Sequence, residues 1–450
     1  MGEAKTGFRF SDDKTDSYPF SNWPLPILNN EVQSRPQYSV PGPTVRRDVP
    51  VIILNLFYTG VGIARDLAGS GLRVVGLSAH PNIYGNFTRF CEVRQAPNSQ
   101  EKPEALQEFL LEATGELRGA VIFPTRDLDV LFLDRHRDKL EPHYRLAIPP
   151  RECLMQVLDK HALVNVARKA GVAVPRTLAL HSEHELSRVA EEVGFPCVVK
   201  PISSYHWRES NNWDMVGGRK AFLVTSQEEL TREYEQVRWA NPEILVQEWI
   251  PGNTESISVL GGYVGENSQP LASFTARKIV QSPDDFGTGC VIRSEEIPEL
   301  LEPTLRLWQA LNYQGMAEVE YKRDSRTGKF LLIEMNTRHW DQHGLGRASG
   351  INLSLTAYKH LTGQNVTPMR TTTKRATWIA EDSFLFYCLR GFYRRELRLG
   401  RLWRQLPRPR IYGIFSWSDP WPFVRYMFGV MLPGVAKQAF RKLRRAEVPS

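Results

Sequence analysis

The chain has 450 residues, 42% of them hydrophobic, with 57 Lys and Arg against 50 Asp and Glu; this marks a globular, enzyme-sized protein with room for two or more domains. The net charge of +7 is lopsided, because residues 385–450 hold 14 Lys or Arg against Glu396, Asp419 and Glu447, a net +11 that leaves −4 for the rest. No nucleic-acid-binding module accompanies that basic segment, so nucleic acid is not an expected partner. The five cysteines, Cys91, Cys153, Cys197, Cys290 and Cys388, are scattered and never spaced as CxxC. They read as small buried apolar residues of a protein in a reducing cytoplasm, not as a disulfide or zinc framework.

In chain order, residues 1–48 are polar and Pro-rich, and predict a disordered or loosely docked tail with no secretory signal. VPVIILNLFYTGVGIARDLAGSGLRVVGLS then predicts a strand, a helix and a second strand. Its Gly60 and Gly62 form only half of a dinucleotide fingerprint, since position 65 is Arg. AVIFPTRD and the amphipathic LDVLFLDRHRDKL continue the alternation. Thr125 and Asp127 fall just beyond a strand end, where α/β folds place ligand contacts, although helix capping accounts for Asp127 equally well. Asp159 predicts an N-cap for a helix that carries Lys160 and ends at Gly171.

GFPCVVKPIS predicts a strand that delivers Lys200 at its end. SSYHWRESNNWDMVGG (203–218) lacks apolar periodicity and ends in two glycines, so it predicts a mobile loop. ILVQEWIPGNTES sets Glu248 and Glu255 on either side of a Trp249-Ile250-Pro251-Gly252 turn, whose backbone can bond adenine while a carboxylate accepts ribose hydroxyls. No GxxxxGK[ST] occurs in the chain, so the phosphate cradle is not a P-loop.

GMAEVEYKRDSRTGKFLLIEMNTRHW predicts a hairpin turning about Ser325 to Gly328. Alternation puts Glu334 and Asn336 on one face, and pairing brings Glu320 nearly opposite Glu334. Facing carboxylates repel unless a cation lies between them, and two carboxylates with an amide oxygen suit magnesium, with manganese as the alternative. A solvated acidic face is the plain alternative for the hairpin taken alone. Arg277, Lys278, Arg293 and Arg338 form a candidate anion cluster for a carboxylate and a transferring phosphate. His339 and His343 have metal-like spacing, but no HExxH accompanies them and they follow a strand. They are expected to line the acceptor site instead of holding metal.

GFPCVVKPIS, ILVQEWIPGNTES and LLIEMNTRHW, in that order, resemble the ATP-grasp superfamily. FPTRDLDVLFL, LDKHALVNVARKAGVAVPRT and FTARKIVQSPDDFGTGC make the chain similar to its carboxylate-amine ligase branch. The resemblance covers about residues 50–365. It implies an α/β and α+β architecture: an ATP-grasp fold at 151–365 preceded by a Rossmann-like pre-ATP-grasp domain at 49–150; the residues beyond it, 366–450, read from their composition as a basic, aromatic C-terminal appendage. It assigns Lys200 and Lys160 to phosphates, Glu255 to the ribose, Glu248, Trp249 and Ile250 to the adenine, Glu320, Glu334 and Asn336 to metal, and Arg338 to the reacting groups. Thr337 stands where the family usually has proline.

The expected activity is ATP- and magnesium-dependent joining of a small-molecule carboxylic acid to an amine through an acylphosphate. The rivals are a small-molecule kinase, a carboxylase working through carboxyphosphate, a dinucleotide-dependent oxidoreductase built on Gly60 and Gly62, and a nucleotide-binding regulator without turnover. DPWPFVRYMFGVMLPGV and KQAFRKLRR combine aromatics with basic charge but are too short in apolar run to span a bilayer. They predict either helices packed on the catalytic body or peripheral contact with the inner membrane surface of the cytoplasm.

Overall fold

The computed structural model describes residues 48–203, 207, 212, 216–217, 219–283, 286–370, 374–393 and 408–433. The predicted tail (residues 1–47), most of the loop at 203–218 and the basic stretches 394–407 and 434–450 lie outside the described residues.

The first sheet is parallel, with strand order β3-β2-β1-β4-β5. It comprises β1 (Val51–Leu54), β2 (Val74–Ser78), β3 (Glu92–Gln95), β4 (Val121–Phe123) and β5 (Arg145–Leu146). Every residue of β1, β2 and β4 is buried. Helices cover both faces of such a sheet, so its central strands read as unbroken apolar runs. The connecting helices include α1 (Tyr58–Leu67), α2 (Pro103–Glu112) and α3 (Asp127–Arg135). Two helices, α4 (Arg151–Leu158) and α5 (Lys160–Lys169), lead out of this layer. Asp159 caps α5 as its sequence predicts, accepting from the backbone N–H groups of His161 and Ala162 at 2.8 and 2.9 Å.

A four-stranded antiparallel sheet follows, ordered β6-β9-β7-β8. Its strands are β6 (Thr177–Leu180), β7 (Cys197–Pro201), β8 (Phe222–Val224) and β9 (Ile244–Glu248), and α6 (Gln227–Val237) packs on it through Leu230, Tyr234 and Val237.

The third sheet has seven strands in the order β14-β13-β10-β11-β12-β15-β16. They are β10 (Ile257–Val264), β11 (Pro270–Ser282), β12 (Thr288–Ser294), β13 (Gly315–Arg323), β14 (Phe330–Asn336), β15 (Thr377–Ile379) and β16 (Arg410–Tyr412). Helix α7 (Leu301–Ala310) buries Leu307 and Trp308 against one face, together with Leu260, Val319 and Tyr321. Gly261 and Gly262 on β10 make this packing possible from both sides. A Cβ on Gly261 would lie 2.3 Å from the Trp340 ring, and one on Gly262 would lie 2.9 Å from the Trp308 ring.

Helices α8 (Gly344–Ala348) and α9 (Leu353–Leu361) lie against α1, so β1 and α1 share one apolar core with β10 to β12. The segment read as an appendage supplies β15 and β16 to this sheet, and α10 (Glu381–Tyr393) packs Phe384 and Tyr387 on the same core. Helix α11 (Trp421–Tyr426) continues as a π-helical turn over Met427–Met431. At least this much of residues 366–450 is built into the body by strand pairing and core packing; three-residue strands carry too little periodicity to be read in advance.

Candidate active site

A cavity of about 960 Å³ opens between the four- and seven-stranded sheets, with the starts of α1 and α3 closing one end. Its floor is the β13–β14 hairpin. Glu320 pairs with Glu334 and Glu318 with Asn336, while Ile333 forms a bulge that shifts the register beside the two glutamates. Period-two alternation therefore turns Glu318, Glu320 and Lys322 into the cavity, with Glu334 and Asn336 beside them.

Each glutamate of the facing pair is met by a lysine. The Lys278 ammonium reaches across β10 to Glu320 at 2.5 Å, and Lys160, the first residue of α5, stands 3.5 Å from Glu334. Burial opposes the charge on Lys278, but Glu320, Glu318 and Glu334 hold its proton more firmly than usual. Asn336 donates from Nδ2 to Glu318 at 2.9 Å, which leaves its amide oxygen as the acceptor available to a cation.

Glu318 is a cavity residue that the sequence reading missed. Burial, and then the neighbouring Glu320 charge, push its carboxyl up to about 8. Its signal was present in the sequence, two residues before Glu320 and hence on the same strand face.

Lys200, the last residue but one of β7, is buried at the cavity wall and donates to Gln247 Oε1 on β9 at 3.0 Å. Burial, and next the Lys160 charge, pull its ammonium down to about 8. Glu248, Trp249 and Ile250 line the cavity along the turn after β9, with the apolar Val198, Ile257 and Ile333. Glu248 is held by Arg176 at 3.1 Å and Arg326 at 2.9 Å. Its pKa stays below the usual carboxylate value although burial opposes the charge, because both guanidinium groups bond it.

At the opposite end, Phe57 and Thr59 from the start of α1 and Thr125 to Leu128 at the start of α3 line the wall. Asp127 is the first residue of α3, not its cap, and its carboxylate accepts from Arg338 Nε at 2.6 Å. Arg338 also donates to the His339 carbonyl at 3.0 Å. Burial works against the Arg338 charge, yet Asp127 keeps it protonated beyond its ordinary range. Thr59 donates to Asp341 at 2.8 Å, joining α1 to the stretch after β14 beside that pair.

Several sequence-predicted residues stand elsewhere. Arg277 and Arg293 do not line the cavity; they share Glu295 at 2.8 and 2.6 Å, and Arg277 also donates to the Glu255 carbonyl. The reason is strand alternation, since Arg277 and Lys278 are adjacent on β11 and leave opposite faces. The Glu255 side chain is exposed and outside the cavity lining, in the short helical turn Thr254–Ser256. His339 and His343 are buried away from the cavity, bonded to Ser354 Oγ at 3.0 Å and placed 3.3 Å from Asp66. They fasten α8 and α9 to α1 and do not line an acceptor site.

Gly60 and Gly62 lie inside α1, not in a phosphate loop, and a Cβ on Gly62 would meet the His343 ring at 2.7 Å. Close helix packing, not a pyrophosphate, explains that glycine. Among the described residues no cluster of three or more His, Cys, Asp or Glu is arranged to hold a metal. The candidate set is two carboxylates and an amide oxygen, an all-oxygen donor set that fits a hard divalent cation which keeps waters and phosphate oxygens in its shell.

Residues 264–368 match the carbamoyl-phosphate synthase L chain ATP-binding domain. The D-aspartate ligase of Enterococcus faecium is 24% identical over 329 residues, covering 68% of this chain and 75% of that protein. A D-alanine–D-alanine ligase of Pseudomonas putida is 27% identical over 187 residues, 40% of this chain, and the match spans only 54% of the ligase. Among solved structures, N5-carboxyaminoimidazole synthetase of Staphylococcus aureus complexed with ADP superposes with a TM-score of 0.60 at 16% identity, covering 78% of this chain and 87% of that one. That likeness is one of fold.

Proposed function

We propose that this chain, a member of the ATP-grasp superfamily, is an ATP-dependent ligase that joins a carboxylate to an amine through an acylphosphate. The observation that carries this reading is one continuous cavity, with Trp249 and Ile250 along one wall, three lysines and two facing carboxylates at its middle, and a half-buried Arg338 paired with Asp127 beyond them.

In this reading Trp249 and Ile250 hold the adenine and Lys200 and Lys160 neutralise the α- and β-phosphates. Lys278 meets the γ-phosphate, and Arg338, fixed by Asp127, orients the acid. Glu320, Glu334 and Asn336 would hold magnesium, which supplies charge neutralisation across the β- and γ-phosphates when bound. A carboxylate oxygen of the acid forms its bond to the γ-phosphorus as the bond to the bridging oxygen of ADP breaks. The amine nitrogen then bonds to the acyl carbon, phosphate departs with the electrons of the acyl C–O bond, and the amine gives up a proton. Positioning and fixed charge do the work; no protein nucleophile is required. Phe57, Thr59 and Asp341 close the end of the cavity where the acyl group would lie and limit hydrolysis of the acylphosphate by water.

The relatives' names, D-aspartate ligase and D-alanine–D-alanine ligase, support amino acids as the first acids and amines to screen. The test is release of ADP and phosphate across acid and amine pairs. ADP that appears only when both are present supports the ligase. ADP with a stable phosphorylated product, or ADP dependent on bicarbonate, replaces it with a kinase or a carboxylase. Glu334→Ala should lower turnover by about a thousandfold or more while leaving the fold intact, as measured by initial rate and circular dichroism; near-normal turnover would refute the assignment.

A further inference from the structure

Helix α10 breaks the usual rule for a surface helix. Its inward residues Phe384 and Tyr387 meet the core, but its outward residues Leu385, Phe386, Leu389 and Phe392 are also apolar, and Phe392 is 75% exposed. A helix apolar all round belongs inside a protein or against another apolar phase. The segment around α11 repeats the anomaly, with Trp417 at 89% exposure, Trp421 at 62% and Phe428 at 70%.

The two elements are fastened to each other. Glu381 accepts the backbone N–H of Ile414 at 3.1 Å and that of Phe415, and Asp382 accepts the Tyr426 hydroxyl at 2.6 Å. Nine of the fourteen exposed large hydrophobic side chains among the described residues fall within 385–432, so the exposure is concentrated and not the scatter normal on a soluble surface.

Charge identifies what such a surface fits. Arg390, Arg408, Arg410 and Arg425 accompany the apolar side chains, whereas among the described residues of this segment the acidic groups are engaged within the protein: Glu381 and Asp382 by the bonds above, and Asp419 by its buried pairing with Arg65 at 3.2 Å. A protein partner would need an apolar face with a uniformly acidic rim. An anionic bilayer offers acyl chains for the phenylalanines and leucines, an interface suited to tryptophan, and phosphates for arginine. No helix among the described residues is long and apolar enough to cross a membrane, so the contact lies on one leaflet. We propose that α10 and the α11 region form an attachment surface by which this protein binds an anionic lipid bilayer peripherally.

The experiment is co-sedimentation of the full chain with vesicles of phosphatidylcholine alone and of phosphatidylcholine mixed with phosphatidylglycerol. Binding to the mixed vesicles is expected at low salt, weakening as salt rises, and Phe386→Glu with Leu389→Glu should weaken it by at least about tenfold. The thermal shift with Mg-ATP, unchanged in that variant, confirms that it folds; should the glutamates disturb folding, Leu389→Ser with Trp417→Ser carries the comparison. Failure to sediment with mixed vesicles at low salt overturns the proposal, as does equal binding by the variants. A lipid-free dimer abolished by the same substitutions also overturns it, because a second copy would then cover the face.

Discussion

Burial, reinforced by Lys160, draws the Lys200 ammonium down to about 8, and this has two consequences of opposite sign. For stability, the cost of burying its charge is full below pH 8 and is relieved as pH rises towards the ordinary lysine value of 10.5, because in that window the unfolded chain holds a proton that the folded one has released. For phosphate binding, the same loss of charge is harmful. ADP affinity should fall above pH 8, and Glu318, whose carboxyl also titrates near 8, adds a repelling charge over the same range. Calorimetric ADP affinity across roughly pH 6.5 to 9.5 should therefore decline steeply in the native protein, less in Lys200→Arg or Glu318→Gln, and hardly at all in the double variant. A decline in the double variant as steep as in the native protein would remove both residues from the phosphate site. Glu318 itself shows where reading stopped short at this scale. Its strand face was legible from Glu320 and its place opposite Asn336 follows from the same hairpin pairing, but its burial depends on the elements that close over the hairpin, which no local pattern specifies.

At the scale of the element, strand alternation decides which charges can act. Lys278 enters the cavity and Arg277 leaves it, although they are neighbours in sequence. Lys278→Ala should lower turnover by about a hundredfold or more, from loss of a charge beside the transferring phosphate, whereas Arg277→Ala and Arg293→Ala should each stay within about threefold of the native rate. Comparable losses from all three, measured under saturating ATP, would mean that the sheet face does not govern the anion site. The four basic residues were grouped from their nearness to motifs, and only the observed register divides them. The hairpin, by contrast, was readable in full outline, since its turn residues and alternating carboxylates are local signals; the bulge at Ile333 was not, because a bulge is defined by the strand opposite.

For the whole molecule, the C-terminal segment is the unexpected part. Asp419, fully buried, accepts Arg65 from α1 together with the Thr88 hydroxyl and the Arg89 backbone N–H, at 3.2, 2.7 and 3.0 Å. This carboxylate ties the turn before α11 to α1 and to the stretch leading into β3, beside the packing of Ile414, Phe423 and Tyr426 on Val61 and Tyr84. Asp419→Ala would leave Arg65 buried beside an empty place, and should destabilise the protein by about 3–5 kcal/mol in denaturant titrations. A loss below about 1 kcal/mol would indicate that the segment is docked only loosely.

What the amino-acid order settled unaided is local: the capping of α5 by Asp159, the strand that carries Lys200, and the hairpin that turns Glu320, Glu334 and Asn336 one way. Backbone periodicity and capping act over a few residues, so they leave a legible trace. The tertiary structure alone decided that Asp127 holds Arg338, that Asp419 holds Arg65, and that β15 and β16 complete the seven-stranded sheet. The first two contacts join residues 211 and 354 positions apart, and the free energy that selects them comes from closing a shared core, which no short stretch of sequence contains.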